Sequence, residues 1–187
     1  MSHRAKYVPG PAALARVEKD GERWTLVLAR ELRHPPALVW QALTDPAQLA
    51  EWAPFDADRN LGTKGPVKLT AIGAPTPTVA ESEVTRAERE KVLEFVWGGN
   101  LRWELEPTSN GTRLTLWHNI DSRFISWGAA GWHVCFDVLD GLLAGEPIGR
   151  LAGPAAMKVE GWQRLASDYG KQFAAEMGGP EAKAPPG

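Results

Sequence analysis

The side chain with the clearest potential for chemistry in this sequence is His118. It alternates with Leu114 and Leu116, so a strand over 112–119 would present an imidazole on an otherwise apolar face. There it could bond a ligand carbonyl or hydroxyl, or transfer a proton near neutral pH. It could equally be a core histidine whose ring nitrogens bond to the protein itself. The sequence leaves both interpretations open.

A second group that could do chemistry is His133, Cys135 and Asp137. On a helix these side chains fan apart, and only His133 and Asp137, four residues apart, share a face. Two ligands without a third do not make a zinc site, so we expect no metal and an exposed histidine–aspartate pair. Cys135 falls on an apolar stripe and is interpreted as a small core residue. The sequence contains no nucleophile elbow, phosphate-binding loop or HExxH pattern, and we expect no cofactor.

Carboxylates are also paired along one predicted strand, where Glu81 and Glu83 share a face. Such pairs can act as general acid and base. Because other acidic residues alternate along the strands in the same way, we interpret this pair as a solvated face. An enzyme of the cyclase, dehydratase or hydrolase type, using His118 with Tyr169 or a carboxylate, is an alternative function for the chain.

Composition excludes several classes of protein. The 187 residues are 43% hydrophobic and 24% charged, which is typical of one soluble globular domain. A net charge of -2 gives no electrostatic reason to expect nucleic acid as a partner. We expect no signal peptide and no membrane span. A single cysteine fits the reducing cytoplasm, and the nine tryptophans suit a core or the walls of a ligand pocket.

The elements that would position these residues begin with a strand over 24–32, followed by two short helices between Pro35 and Trp52. Asp45 is placed to cap the second helix, with Pro46 at its first position. A meander of antiparallel strands follows, which brings the total to about six, and its Asn110-Gly111 is a strong hairpin signal. The predicted strands of the meander are 66–72, 79–86, 92–97, 101–106 and 112–119.

The last third of the sequence is helical. A long amphipathic helix is predicted over 131–143 and a further one over about 159–176. We expect a single domain over 23–177, preceded by a loose polar arm at 1–22 and followed by a disordered tail at 178–187.

Local motifs of this sequence resemble those of the START-like (SRPBCC) superfamily, in particular the branch named for the heat-shock-protein-90 ATPase activator homologue. The likeness rests on the order and spacing of several motifs, and it spans roughly Trp24 to Leu143. The motifs are Val39 to Pro46, Asp58 to Gly62, Leu93 to Trp97, Leu101 to Pro107, Gly111 to Leu116 and Gly131-Trp132.

The resemblance implies an α+β helix-grip fold, in which a curved antiparallel sheet wraps a long C-terminal helix and encloses a cavity. It also implies binding of a small hydrophobic or amphipathic ligand, such as a lipid, by a monomer or homodimer. A co-chaperone-like or regulatory interaction module is a further alternative. Eukaryotic activators carry a separate chaperone-binding domain, which an arm of about 22 residues cannot replace, so we do not predict a chaperone partner.

Strand alternation and the apolar stripe of the long helix then select the side chains that would line such a cavity. The same side chains could instead only pack the core. The candidates are Leu93, Phe95, Trp97, Trp103, Leu105, Leu114, Leu116, His118, Trp132, Phe136 and Leu139.

Overall fold

An eight-stranded antiparallel sheet frames the computed structural model, which describes residues 7–178. The strand order across the sheet is β1-β2-β8-β7-β6-β5-β4-β3, so β1 and β3 are its edges. The strands are β1 (Ala15–Asp20), β2 (Arg23–Leu32), β3 (Phe55–Ala57), β4 (Gly65–Ala71), β5 (Val79–Glu88), β6 (Val92–Val96), β7 (Asn100–Thr108) and β8 (Gly111–Asn119).

Five α-helices accompany the sheet within residues 7–178. Two short ones follow β2, a long one follows β8, and two more lie beyond it in the chain. They are α1 (Pro36–Thr44), α2 (Pro46–Trp52), α3 (Ile125–Leu143), α4 (Pro154–Met157) and α5 (Trp162–Ala174).

The break between α1 and α2 confirms the capping predicted for Asp45. Its backbone N–H donates to the Gln41 carbonyl and ends α1, while its side chain accepts the N–H of Ala47 at 2.9 Å and begins α2. Pro46 occupies the first helical position, where its missing N–H costs nothing. Because one residue ends α1 and begins α2, the direction of the second helix is fixed relative to the first. The second helix buries Leu49 and Trp52.

The concave face of the sheet packs on α3 through aromatic rings. Trp103 on β7 makes edge-to-face contact with Trp52 at 5.9 Å and with Trp132 at 5.4 Å between ring centroids. It also lies 5.9 Å from Phe136. A curved antiparallel sheet holding a long helix in this way is the helix-grip arrangement, so the predicted fold class is confirmed.

Three details differ from the sequence predictions. The arm is not loose throughout, because Ala15–Asp20 pairs with β2 and buries Ala15 and Val17. With the short β3 this makes eight strands where about six were predicted. The long helix begins at Ile125, before the predicted Gly131, since Asp121 caps a 3₁₀ turn that leads into it. The predicted tail lies, apart from Gly178, outside the described residues.

The chain between α3 and α5 is tied to the β3 end of the sheet by Arg150. Its guanidinium donates to the carbonyls of Ala53 at 2.7 Å and Phe55 at 2.8 Å, and pairs with Asp56 at 2.8 Å. Close beside it, Gly153 has φ of 55° and a Cβ there would lie 2.8 Å from the Ile72 carbonyl oxygen. Only glycine fits this approach, so the segment is held against the sheet at a fixed distance.

We expect Arg150→Ala to lower the free energy of unfolding by about 2 kcal/mol, because charge-assisted bonds to two carbonyls and a carboxylate are lost together. Urea denaturation monitored by circular dichroism measures this loss. Arg16→Ala is the control, since its ion pair with Glu18 is about half exposed and should contribute under about 1 kcal/mol. Equal losses in the two variants would show that Arg150 does not anchor the segment.

Candidate functional site

A cavity of about 260 Å³ lies beside the amino-terminal half of α3. One wall is α3 itself, a second is the sheet near the β6–β7 turn, and the third is the segment Ala152–Trp162. Four tryptophans line it: Trp97, Trp127, Trp132 and Trp162. Trp127 and Met157 are about half exposed, at 52% and 46%, so these two side chains form the rim where the cavity meets solvent.

His118 lies in the wall of this cavity, and both of its ring nitrogens are already bonded. The indole N–H of Trp132 donates to Nδ1 at 3.0 Å, which leaves Nε2 as the donor to the Trp97 carbonyl at 2.8 Å. Burial lowers the pKa of His118 to about 4, so the ring is neutral near pH 7. The neutral ring therefore has both nitrogens in use, one with the Trp132 indole and one with the Trp97 backbone.

Two glycines of α3 contribute to the wall of the cavity. Gly128 and Gly131 line it, one turn apart on the same face of the helix. A Cβ on Gly128 would lie 2.5 Å from Cδ1 of Ile120, whereas a Cβ on Gly131 would meet no atom within 4 Å. Gly128 therefore allows close packing, and Gly131 faces open space.

The predicted site residues divide into two sets. Trp97, His118 and Trp132 line the cavity. The remainder are buried in the core between the sheet and α3, outside this cavity lining, and any contact of theirs with a ligand stays a prediction. These core residues are Leu93, Phe95, Trp103, Leu105, Leu114, Leu116, Phe136 and Leu139.

The expectation of an exposed pair at His133 and Asp137 is wrong. His133 is 4% exposed, and its Nδ1 lies 2.8 Å from the hydroxyl of Tyr169 on α5. Asp137 pairs with Arg30 of β2 at 2.5 Å and accepts the hydroxyl of Tyr7 at 2.6 Å. The sequence pattern could not indicate this burial, because the residues that cover this face of α3 lie far from it along the chain.

This buried polar cluster joins elements but is separate from the cavity. Burial lowers the pKa of His133 and raises the pKa of Tyr169 to about 12, so both side chains are neutral near pH 7. Tyr169 is fully buried and does not line the cavity that His118 lines. His118 and Tyr169, which the enzyme alternative could combine, are therefore not brought together.

Cys135 is the one thiol and it lines the cavity, where burial raises its pKa to about 12 and keeps it protonated. Within residues 7–178, no three histidine, cysteine, aspartate or glutamate side chains are grouped as metal ligands. Across the same range, none of the helices is both long and apolar enough to pass through a membrane.

Comparison with known proteins bears on the part of the chain that contains α3 and most of the sheet. The sequence profile of the family described as "Activator of Hsp90 ATPase homolog 1-like protein" matches residues 33–144, more than half of the chain. The chain belongs to this family. The family span runs from before α1 to the end of α3, so β1, β2, α4 and α5 lie outside it. No curated protein matches the sequence.

Solved structures share the fold of this family member. Protein MLL2253 from Mesorhizobium loti is 26% identical with a TM-score of 0.57, over 65% of this chain and 97% of its own. CalU16 from Micromonospora echinospora is 19% identical with a TM-score of 0.64, over 90% and 96%. The conserved protein of unknown function EF2215 from Enterococcus faecalis is 18% identical with a TM-score of 0.64, over 84% and 89%.

Sequence reasoning missed the residues that the segment after the family span contributes to the cavity. They include Ala152, Ala156, Met157 and Trp162. These residues follow the end of α3 by 9 to 19 positions, and alternation within strands carries no information on how such a segment folds back. One signal was present, because Trp162 begins the apolar stripe of the last helix, and such a stripe needs a surface to pack on.

We expect stability to fall as pH is lowered from about 6.5 to about 4. An unfolded histidine titrates near 6.5, whereas His118 in the folded protein titrates near 4, so the unfolded state binds more protons in this window. The stabilisation is complete above the unfolded pKa and is lost progressively below it, by about 3 kcal/mol at most. Urea denaturation at a series of pH values measures the slope.

The matched variant for this prediction is His118→Gln, whose amide can accept from Trp132 and donate to Trp97 but does not titrate. Its stability should depend less steeply on pH across the same window. The remaining slope should come from His133, whose pKa is also lowered by burial. An unchanged slope would mean that His118 is not kept neutral by the fold.

Proposed function

We propose that this protein binds a small hydrophobic or amphipathic molecule in the cavity beside α3. The observation that carries the proposal is the cavity itself, walled by four tryptophans and by Gly131, where the helix leaves open space. Ligand sites are typically concave and apolar with few polar groups. We also propose a cytoplasmic location, which the single, unpaired and buried Cys135 supports.

The volume limits the ligand to a compact molecule. Drug-sized ligands occupy pockets of roughly 300–1,000 Å³, and an apolar cavity of about 150 Å³ holds benzene. A space of about 260 Å³ therefore suits a molecule of one or two fused rings, or the end of a longer one. Burial of its surface would contribute about 25 cal/mol per Å² to the affinity.

The polar side chains of the wall restrict how such a ligand can be recognised. His118 cannot bond a ligand without giving up Trp132 or the Trp97 carbonyl. Trp162 is different, because its indole N–H is buried and has no acceptor among the described residues. An unsatisfied buried donor costs about 1–3 kcal/mol, and a ligand oxygen that reached it through a shift of the rim side chains would relieve that cost. The wall thus supports a neutral ligand body with at most one acceptor nearby.

We expect Gly131→Leu to abolish binding of a compact aromatic probe such as 2-naphthol without unfolding the protein. The new side chain would enter the open space beside α3, and replacing a helical glycine favours the helix by up to about 1 kcal/mol. Thermal shift and calorimetric titration measure stability and binding separately. In the wild type, probe at a hundred times its Kd should stabilise the fold by about 2.7 kcal/mol.

The control is Gly170→Leu, a helical glycine on α5 whose Cβ would make only an ordinary contact with Ser126 at 3.8 Å. Gly170 does not line the cavity, so 2-naphthol should bind this variant as it binds the wild type. Wild-type binding by the folded Gly131→Leu variant would contradict the proposed function. So would the absence of any ligand from a panel of lipids and small aromatic compounds that stabilises the wild-type protein.

A further inference from the structure

A surface groove of about 680 Å³ continues from the rim of the cavity along α5. Trp127, Met157 and Trp162 line both spaces, so the two are contiguous. Beyond this shared neck the floor of the groove is made of small side chains one helical turn apart on α5, namely Ala166, Gly170 and Ala174. These small side chains follow the helix from the neck toward Lys171, so an extended chain could lie along them.

The neck between cavity and groove contains a polar group without a partner. Trp162 is 5% exposed, and its ring packs edge-to-face on Trp127 at 5.7 Å between centroids. Its indole Nε1–H has no acceptor among residues 7–178. Buried donors in folded proteins are nearly always bonded, whereas this one has no partner among the described residues and almost no accessible surface. A ligand oxygen would reach it where the half-exposed rim side chains Trp127 and Met157 shift to admit the ligand.

Charge along the groove has one sign. Among the described residues that line it, Lys171 is the only charged one, and the others with polar side chains are Ser126, Gln163 and Ser167. No carboxylate of the described chain lies within salt-bridge distance of Lys171. Nine residues of helix separate Trp162 from Lys171, which corresponds to about 14 Å along the axis. An anionic group on a chain of that reach would find its counter-charge there.

From these observations we propose that the cavity and the α5 groove form one site for an anionic amphiphile in three parts. A compact apolar body fills the cavity, an ether or carbonyl oxygen at the neck accepts the Trp162 N–H, and a chain along the groove ends in a carboxylate at Lys171. The orientation follows from solvation, because a carboxylate in the apolar cavity would lose its water without gaining a cation. This proposal rests on the proposed function, since the body occupies the same cavity.

The test compares a compact probe with an extended one on the full chain. The compact probe is 2-naphthol, and the extended probe is a naphthyloxy-hexanoate, which adds an ether oxygen, an alkyl chain and a carboxylate. Calorimetric titration below the aggregation limit of the extended probe gives both dissociation constants. The extended probe should bind the wild type at least tenfold more tightly than 2-naphthol.

Variants then separate the parts of the site. Gly170→Leu should weaken the extended probe at least tenfold and leave 2-naphthol unchanged, and Ser167→Leu, at a second groove position, repeats the test should the first variant not fold. Lys171→Gln should weaken the extended probe about two- to fivefold. Lys91→Gln removes the same charge far from the groove and should have no effect.

Trp162→Phe keeps an aromatic ring at the neck but removes the donor. It should weaken the extended probe by about two- to tenfold and weaken the analogue whose ether oxygen is replaced by CH₂ much less. Equal weakening of the ether probe and its CH₂ analogue would remove the neck acceptor from the proposal.

The groove proposal and the proposed function fail in different ways. If groove variants and Lys171→Gln bind the extended probe like the wild type while Gly131→Leu abolishes binding, the groove proposal is wrong and the cavity proposal stands. If folded Gly131→Leu binds both probes normally, the proposed function is wrong and the groove proposal falls with it.

Discussion

The contact on which the rest of the structure depends is the packing of Trp103 against α2 and α3. One indole on β7 touches Trp52, Trp132 and Phe136, so the sheet, the helix pair and the long helix meet on a single ring. Edge-to-face geometry fixes the angle as well as the distance between these elements. The cavity lies beside the amino-terminal half of α3, where Gly128 and Gly131 join Trp132 in its wall.

How much the sequence could predict depended on whether the signal was local. β8 places Leu114, Leu116 and His118 on one buried face, and Asp45 carries its capping role in its own side chain, so both were predictable. The start of α3 was not, because Gly128 and Gly131 indicate a loop when read locally. These glycines are tolerated only because Ile120 fills the space beside one and the cavity lies beside the other.

The candidate site shows the same limit more strongly. Alternation correctly assigned His118 to an inward face, but it could not show that Trp132 and the Trp97 carbonyl occupy both ring nitrogens. Those bonds come from a turn and from a helix, so they depend on tertiary packing. The family span supplies α3 and the strands β3 to β8, whereas Met157 and Trp162 lie beyond it. Ligand preference could therefore differ between family members without any change in the shared framework.

The hydrogen bonds between the region of β1 and the region of α5 have a consequence for how the chain folds. The Ala13 N–H bonds to the Tyr169 hydroxyl, Gln172 donates to the Ala15 carbonyl and Glu176 accepts the Val17 N–H, across separations of 156 to 159 residues. Contacts of such long range slow folding, because a large loop must close before they form. During synthesis β1 can join β2 early, yet it gains these partners only after α5 has left the ribosome. β1 is thus synthesised long before the contacts that fix it to the α5 region can form.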